Sequence, residues 1–337
     1  MKKRFLWLVI FVLCCIYART QDLHFSQFFF SPQGLNPAHV GDFNGSYRIN
    51  ANQKTQWKQV SRPYMTFALT GDAAFDFIPQ QMALGLAVIN DNAGDARFNT
   101  FQILTAASYR FELDAEAKNT LRLGLQLGPG QISINENYMS FNNQYNGVVY
   151  DPTLPSGEAF PRNSRWYFNL HAGAAHRFNY AERKNITTGM AVHNLSQPNQ
   201  SFFNDTGVEL PMRFSIYSFA SWMIHPDFDV MPAIRWMGQG TYQEFIAGSA
   251  IRYILMDEGS IYRSVFGGYF GRFGDSGIAM IGLEYDAWRV ALSYDINVSD
   301  LKPASRNRGG FEFSVQYIFG ESQGKPGVRH KYCPVFL

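Results

Sequence analysis

Several places in the chain carry residue types whose spacing could do chemistry. His193 and Ser196 stand three apart, where an imidazole could take a hydroxyl proton and make a nucleophile for acyl transfer, the chemistry of a lipid hydrolase. No third group that would orient the imidazole is indicated, and the stretch reads equally as a polar strand end turning at Pro198. Asp91, Asn92 and Asp95 resemble part of a calcium loop. They lack the further acidic ligand such a loop needs, and Asn92 with Gly94 suits a tight turn. Gly124, Gly128 and Gly130 are not followed by the Lys-Ser or Lys-Thr of a phosphate-cradling loop; inside a strand they lighten one face or let it bend. The seven histidines are scattered without metal-ligand spacing. These residues imply no catalytic centre, no metal and no cofactor.

The elements that would position such residues are strands. From Tyr47 to Phe319 the chain contains stretches of about ten residues in which apolar and polar residues alternate. Leu121, Leu123, Leu125 and Leu127 alternate with Arg122, Gly124, Gln126 and Gly128. Trp288, Val290, Leu292, Tyr294 and Ile296 alternate with Arg289, Ala291, Ser293, Asp295 and Asn297. Phe311, Phe313, Val315, Tyr317 and Phe319 alternate with Glu312, Ser314 and Gln316, and only Ile318 breaks the pattern. A period of two throughout is what a closed sheet with lipid outside and polar filling inside requires, so the expected fold is all-β: a transmembrane antiparallel β-barrel of the outer-membrane type. Aromatic pairs at strand ends (Tyr109 with Phe111, Trp166 with Phe168, Tyr317 with Phe319) fit interfacial girdles and argue against a soluble sandwich. Only 17% of residues are charged and the formal net charge is +2, which excludes an argument for nucleic acid.

Turns and alternation together predict about fourteen strands, at 46–58, 63–75, 81–90, 98–112, 120–132, 165–178 and 184–194, then 211–224, 228–238, 243–254, 260–272, 276–286, 287–298 and 309–320. Short connections at 114–119, 181–184, 257–259 and 274–277 and long ones at 133–164 and 195–210 suggest short periplasmic turns and long outer loops, with both barrel ends periplasmic. Residues 1–20 read as a signal peptide: Lys2, Lys3 and Arg4, an apolar run too short to span, then Ala18-Arg19-Thr20. Residues 21–45, with Phe25, Phe28, Phe29, Phe30, Pro32 and Pro37 and no clean period, form a segment expected to pack into the lumen or to bind a periplasmic partner. Residues 46–320 form the barrel and 321–337 a basic periplasmic tail. Once the leader is removed, Cys333 in that tail is the remaining cysteine, so no internal disulfide is possible; it could be redox-active, bridge to another chain or be inert.

The expected mature start QDLHFSQFFFSPQGLNPAHVG resembles the opening of the PorP/SprF family of type IX secretion and gliding-motility outer-membrane proteins. YRINANQKTQW from Tyr47, LGLAVINDNAGD from Leu84, the stretch from Ser293 to Phe319 and the closing KYCP are similar to further family segments. Leu23 stands where the family usually has Pro, and His39 where it has an aromatic or aliphatic residue. The resemblance implies a non-enzymatic barrel in the cell outer membrane, in contact with lipid. It would be a component of, or partner to, the secretion machinery, helping to anchor or display secreted proteins. The implied partners are periplasmic machinery proteins, a secreted surface protein, or both. The family's FSQ and NPA elements make Phe25, Ser26, Gln27, Asn36 and Pro37 the candidate partner-binding residues, expected on the periplasmic side with the barrel ends. The alternative is a transport channel for small or hydrophobic solutes, since barrels of this size can enclose a conduit.

Overall fold

A computed structural model of the protein describes residues 24–56, 58, 62–75, 82–203, 205–258, 261–299 and 308–320. The expected leader over 1–20 and the tail over 321–337, with Cys333, lie outside the described residues. Fourteen antiparallel strands close into a barrel in chain order, the first pairing with the last from Tyr47↔Phe319 to Thr55↔Phe311. The strands are β1 (Tyr47–Gln56), β2 (Tyr64–Ala74), β3 (Met82–Ala93), β4 (Phe98–Glu112), β5 (Asn119–Ser133), β6 (Ser164–Ala181) and β7 (Lys184–His193). The second half comprises β8 (Arg213–His225), β9 (Phe228–Gln239), β10 (Tyr242–Glu258), β11 (Ile261–Arg272), β12 (Ser276–Tyr285), β13 (Trp288–Asn297) and β14 (Arg308–Phe319). Every strand expected from alternation is present. The main differences are extensions past turn-forming residues, as in β3, which carries Asp91 and Asn92 into the ladder opposite Met65 and Thr66.

Sidedness follows the period. Leu123, Leu125 and Leu127 face outward while Gly124, Gln126 and Gly128 are buried toward the lumen. The same holds in β14, where Phe311 and Phe313 face out and Glu312, Ser314 and Gln316 face in. Outward aromatics pack in pairs around the rim where β1 begins and β14 ends: Tyr109 with Phe111, Trp288 with Tyr317, Tyr180 with Trp222, Phe228 with Tyr253. That rim carries the short β4–β5, β6–β7, β8–β9 and β12–β13 turns. In the first of these, Asp114 accepts hydrogen bonds from Asn119 and from the Lys118 backbone, which hold its carboxyl below the usual range. The opposite rim carries the long 134–163 and 194–212 loops. The short turn at 273–275 belongs to this loop rim as well, because consecutive hairpins must alternate ends whatever their length.

Candidate functional site: a plugged lumen

Residues 24–45 run back through the barrel. The chain leaves the wall at the turn rim, where Ser46 N donates to Phe319 O, and its other described end lies beside β1 near the loop rim, where Lys54 Nζ donates to His24 O at 3.1 Å. Gly41 turns the segment at φ +69 in a spot where a Cβ would overlap that of Ala83, so both the backbone and the space require glycine. The segment is compact rather than extended, with a single turn of α-helix at Pro32–Leu35.

Its middle is apolar. Phe28, Phe29 and Phe30 are each at most 2% exposed and join Leu35 in one core with Tyr217, Phe219, Met231, Ile246, Phe266, Phe270 and Met280 of the wall. The facing wall from β8 to β13 supplies these apolar partners, and the Arg235 and Arg289 guanidiniums lie over the Phe28 and Phe30 rings.

Its two ends are polar and keyed to the wall in different ways. At the loop end, Glu312 accepts the backbone N–H groups of Ser26 at 2.8 Å and Gln27 at 3.0 Å. Ser26 Oγ donates to Asp295 at 2.8 Å, and Gln27 Nε2 donates to Ser293 Oγ at 2.9 Å. Around them Glu244 pairs with Arg235, with Arg272 at 3.0 Å and with His24 at 3.0 Å. At the turn end Asp42 accepts a bidentate bond from Arg177 at 2.6 and 2.9 Å, a further bond from His39 at 2.9 Å, and lies 3.4 Å from Arg122. Beside it Arg48 is bound to Asp72, and Asp72 also accepts from Gly41 N.

Asn36 keys into the wall between these ends. Its side-chain amide reaches Ala174 O, Met190 O and Tyr217 Oη at 2.9 to 3.0 Å, while its carbonyl accepts from Ala38 N. A Cβ at Gly173 would overlap Asn36, and one at Gly124 would overlap Pro37 and Ala38, so these glycines form a slot for the NPA element. His39 is satisfied between Asp42 and Tyr217.

All five candidate residues therefore sit inside the barrel. Phe25, Ser26, Gln27 and Asn36 are at most 5% exposed and Pro37 is buried with them. Phe25–Gln27 stand at the loop end, away from the rim where the segment joins the wall, because the segment doubles back through the barrel from its attachment at the turn rim. The other candidate clusters come apart. His193 lies against Leu35 O, whereas Ser196 donates to Phe168 O, so the pair is not assembled as base and nucleophile. Asp91 accepts from Thr66 and Asp95 from Arg62 N, and among the described residues no group of three or more His, Cys, Asp or Glu is placed to hold a metal. The lumenal charges Arg48, Asp72, Arg122, Arg177, Glu244, Arg272 and Glu312 were missed as a functional set. Their signal was present: a charge on the inward period of a barrel strand must find a partner, since an unpaired buried charge is costly.

The fold is that of known outer-membrane barrels. The toluene transporter TbuX of Ralstonia pickettii superposes with TM-score 0.51 at 8% identity, covering 84% of this chain and 92% of that one. The Pseudomonas putida toluene transporter TodX is similar with TM-score 0.46 at 11% identity, over 88% and 94%. A FadL homologue from Pseudomonas aeruginosa gives 0.44 at 12%, over 84% and 93%. Among curated proteins no sequence relative is found. The model of one family, the type IX secretion system membrane protein PorP/SprF, matches residues 18–317. With nearly the whole barrel and its plug inside that match, this outer-membrane chain belongs to the PorP/SprF family.

Proposed function

We propose that the protein is a non-enzymatic outer-membrane anchor within type IX secretion, which holds a partner so that secreted proteins are retained or displayed at the cell surface. The observation that supports this reading is the filled lumen: a barrel whose interior is bonded to its own N-terminal segment at both ends and packed in the middle is built as a rigid fixture rather than a conduit. Its contacts with other proteins then fall to its faces. On the loop face, the 134–163 and 194–212 segments pack together through Phe160 and Phe203 and present Tyr145, Val148, Val149 and Tyr150 to solvent. On the other face, the short turns are within reach of periplasmic machinery proteins. Phe25, Ser26, Gln27, Asn36 and Pro37 enter this proposal as residues on which partner retention depends through the seating of the plug.

The test replaces Phe25–Gln27 with alanines and measures partner recovery from membranes by crosslinking, together with surface display of type IX cargo. The expected result is an inserted barrel that loses both. Undiminished recovery and display at unchanged barrel level, together with stable conductance of the intact protein in a planar bilayer, would overturn this reading in favour of solute transport.

A further inference from the structure

The plug does not fill the lumen evenly. Between it and β2 to β9 remains a cleft of about 50 Å³. That is room for about four waters at 10–15 Å³ each, or roughly 120 Å³ of liquid volume, on the scale of a three- to four-carbon acid. One wall is the plug itself, through Phe25, Phe28 and Leu35. The barrel side adds apolar Leu104 and Met237. Beside neutral Ser31, Thr70, Gln102, Gln126, Asn194 and Ser215, the charged and imidazole lining is one-sided. Arg213, Arg235, His171 and His193 all border the cleft, and none of the described residues lining it is Asp or Glu.

These groups are buried: Arg213 is 6% exposed, Arg235 4%, His171 4% and His193 2%. The two imidazoles lie 5.0 Å apart, centre to centre. Arg235 is paired with Glu244 behind the cleft, yet its Nε donor has no hydrogen-bond partner among the described residues. A desolvated space rich in N–H donors and lacking acceptor charge favours an anion, since charge-assisted bonds strengthen away from water. An apolar floor beside those donors favours a body that is not itself polar.

We propose that this cleft is a binding site for a small organic anion, a carboxylate on a short apolar body. The volume excludes a long acyl chain, and the apolar floor disfavours inorganic phosphate. Because plug and barrel each supply a wall, the ligand binds only the seated plug and stabilises it by mass action. The site goes beyond the anchoring function and does not depend on it.

The test uses the full-length barrel in detergent, with butyrate as probe and n-butylammonium as the matched body of opposite charge. Hydrogen exchange over residues 24–35 and direct calorimetric titration are read together. Butyrate is expected to bind saturably and to slow exchange of the plug, and n-butylammonium to do neither. Arg213→Gln should weaken butyrate binding about tenfold or more, from the loss of a charged hydrogen bond. Ala87→Leu, which fills the cleft without touching a charge, should remove binding. Heat-dependent gel migration checks that each variant is a folded barrel. Equal binding of both probes, no saturable butyrate binding by the parent protein, or binding only by a peptide ending in a short apolar residue would overturn the proposal. So would parent-like affinity in both folded variants.

Discussion

The two ends of the plug are held by opposite arrangements of charge. At the loop end the wall supplies carboxylates, Glu312 and Asp295, and the plug supplies neutral donors: the backbone N–H groups of Ser26 and Gln27 and the Ser26 hydroxyl. At the turn end the plug supplies the carboxylate, Asp42, and the wall supplies Arg177 and Arg122. The difference teaches how a short irregular segment finds one orientation in a round cavity. An inverted plug would bring Asp42 to Glu312, Asp295 and Glu244, and would leave Arg177 and Arg122 facing neutral donors. Even with Arg235 and Arg272 beside the loop-end carboxylates, each mismatch leaves one charge short of a partner, so electrostatics disfavours the reversed seating.

Four substitutions probe that contrast, in descending order of expected effect. Asp42→Ala leaves Arg177, Arg122 and His39 facing each other without a counter-charge, which should cost about 3–5 kcal/mol of plug seating. Protease cleavage within 24–45, on a barrel that still migrates as folded, reads this out. Resistance equal to the parent protein would show that the turn end is not the stronger latch. Leu123→Arg serves as the reference for the wall. Its side chain faces lipid, so it should cost roughly 2–4 kcal/mol if near the midplane. The loss should appear as reduced membrane insertion with no selective exposure of the plug.

Gly124→Ala places a methyl group where the Pro37 and Ala38 backbone lies, and should cost about 1–3 kcal/mol by overpacking. Faster hydrogen exchange confined to the NPA element is the expected signature; a uniform rise over the whole plug would mean that the glycine slot holds more than that element. Glu312→Gln is the mildest, about 1 kcal/mol, because the amide oxygen still accepts one of the two backbone N–H groups. Its effect should be confined to exchange at Ser26 and Gln27. A loss as large as that of Asp42→Ala would erase the asymmetry between the ends.

The wall was legible in the sequence, whereas for the plug only a choice between lumen packing and partner binding was, and not its path, for a physical reason. Lipid on one face and a polar interior on the other impose a period of two on every strand, so alternation in 121–128 already placed Leu123 outside and Gln126 inside. Residues 24–45 carry no such period. Their content showed that they were too apolar to stay in water, but the path they take depends on the cavity that receives them. Gly124 illustrates this: in the sequence it read as relief within a strand, and only the assembled barrel shows it, together with Gly173, making room for Pro37 and Asn36.

By itself, the sequence determined the class of fold, the strands, the outward and inward faces and the family to which the chain belongs. Tertiary structure alone decided what fills the lumen, at which end each element of the plug sits, and which charges meet. Those contacts join Ser26 to Asp295, Asn36 to Tyr217 and Asp42 to Arg177 across more than a hundred residues each. Such distances along the chain are closed only when β1 meets β14 in register. Until that ring exists, the inward charges have no common interior in which to find their partners.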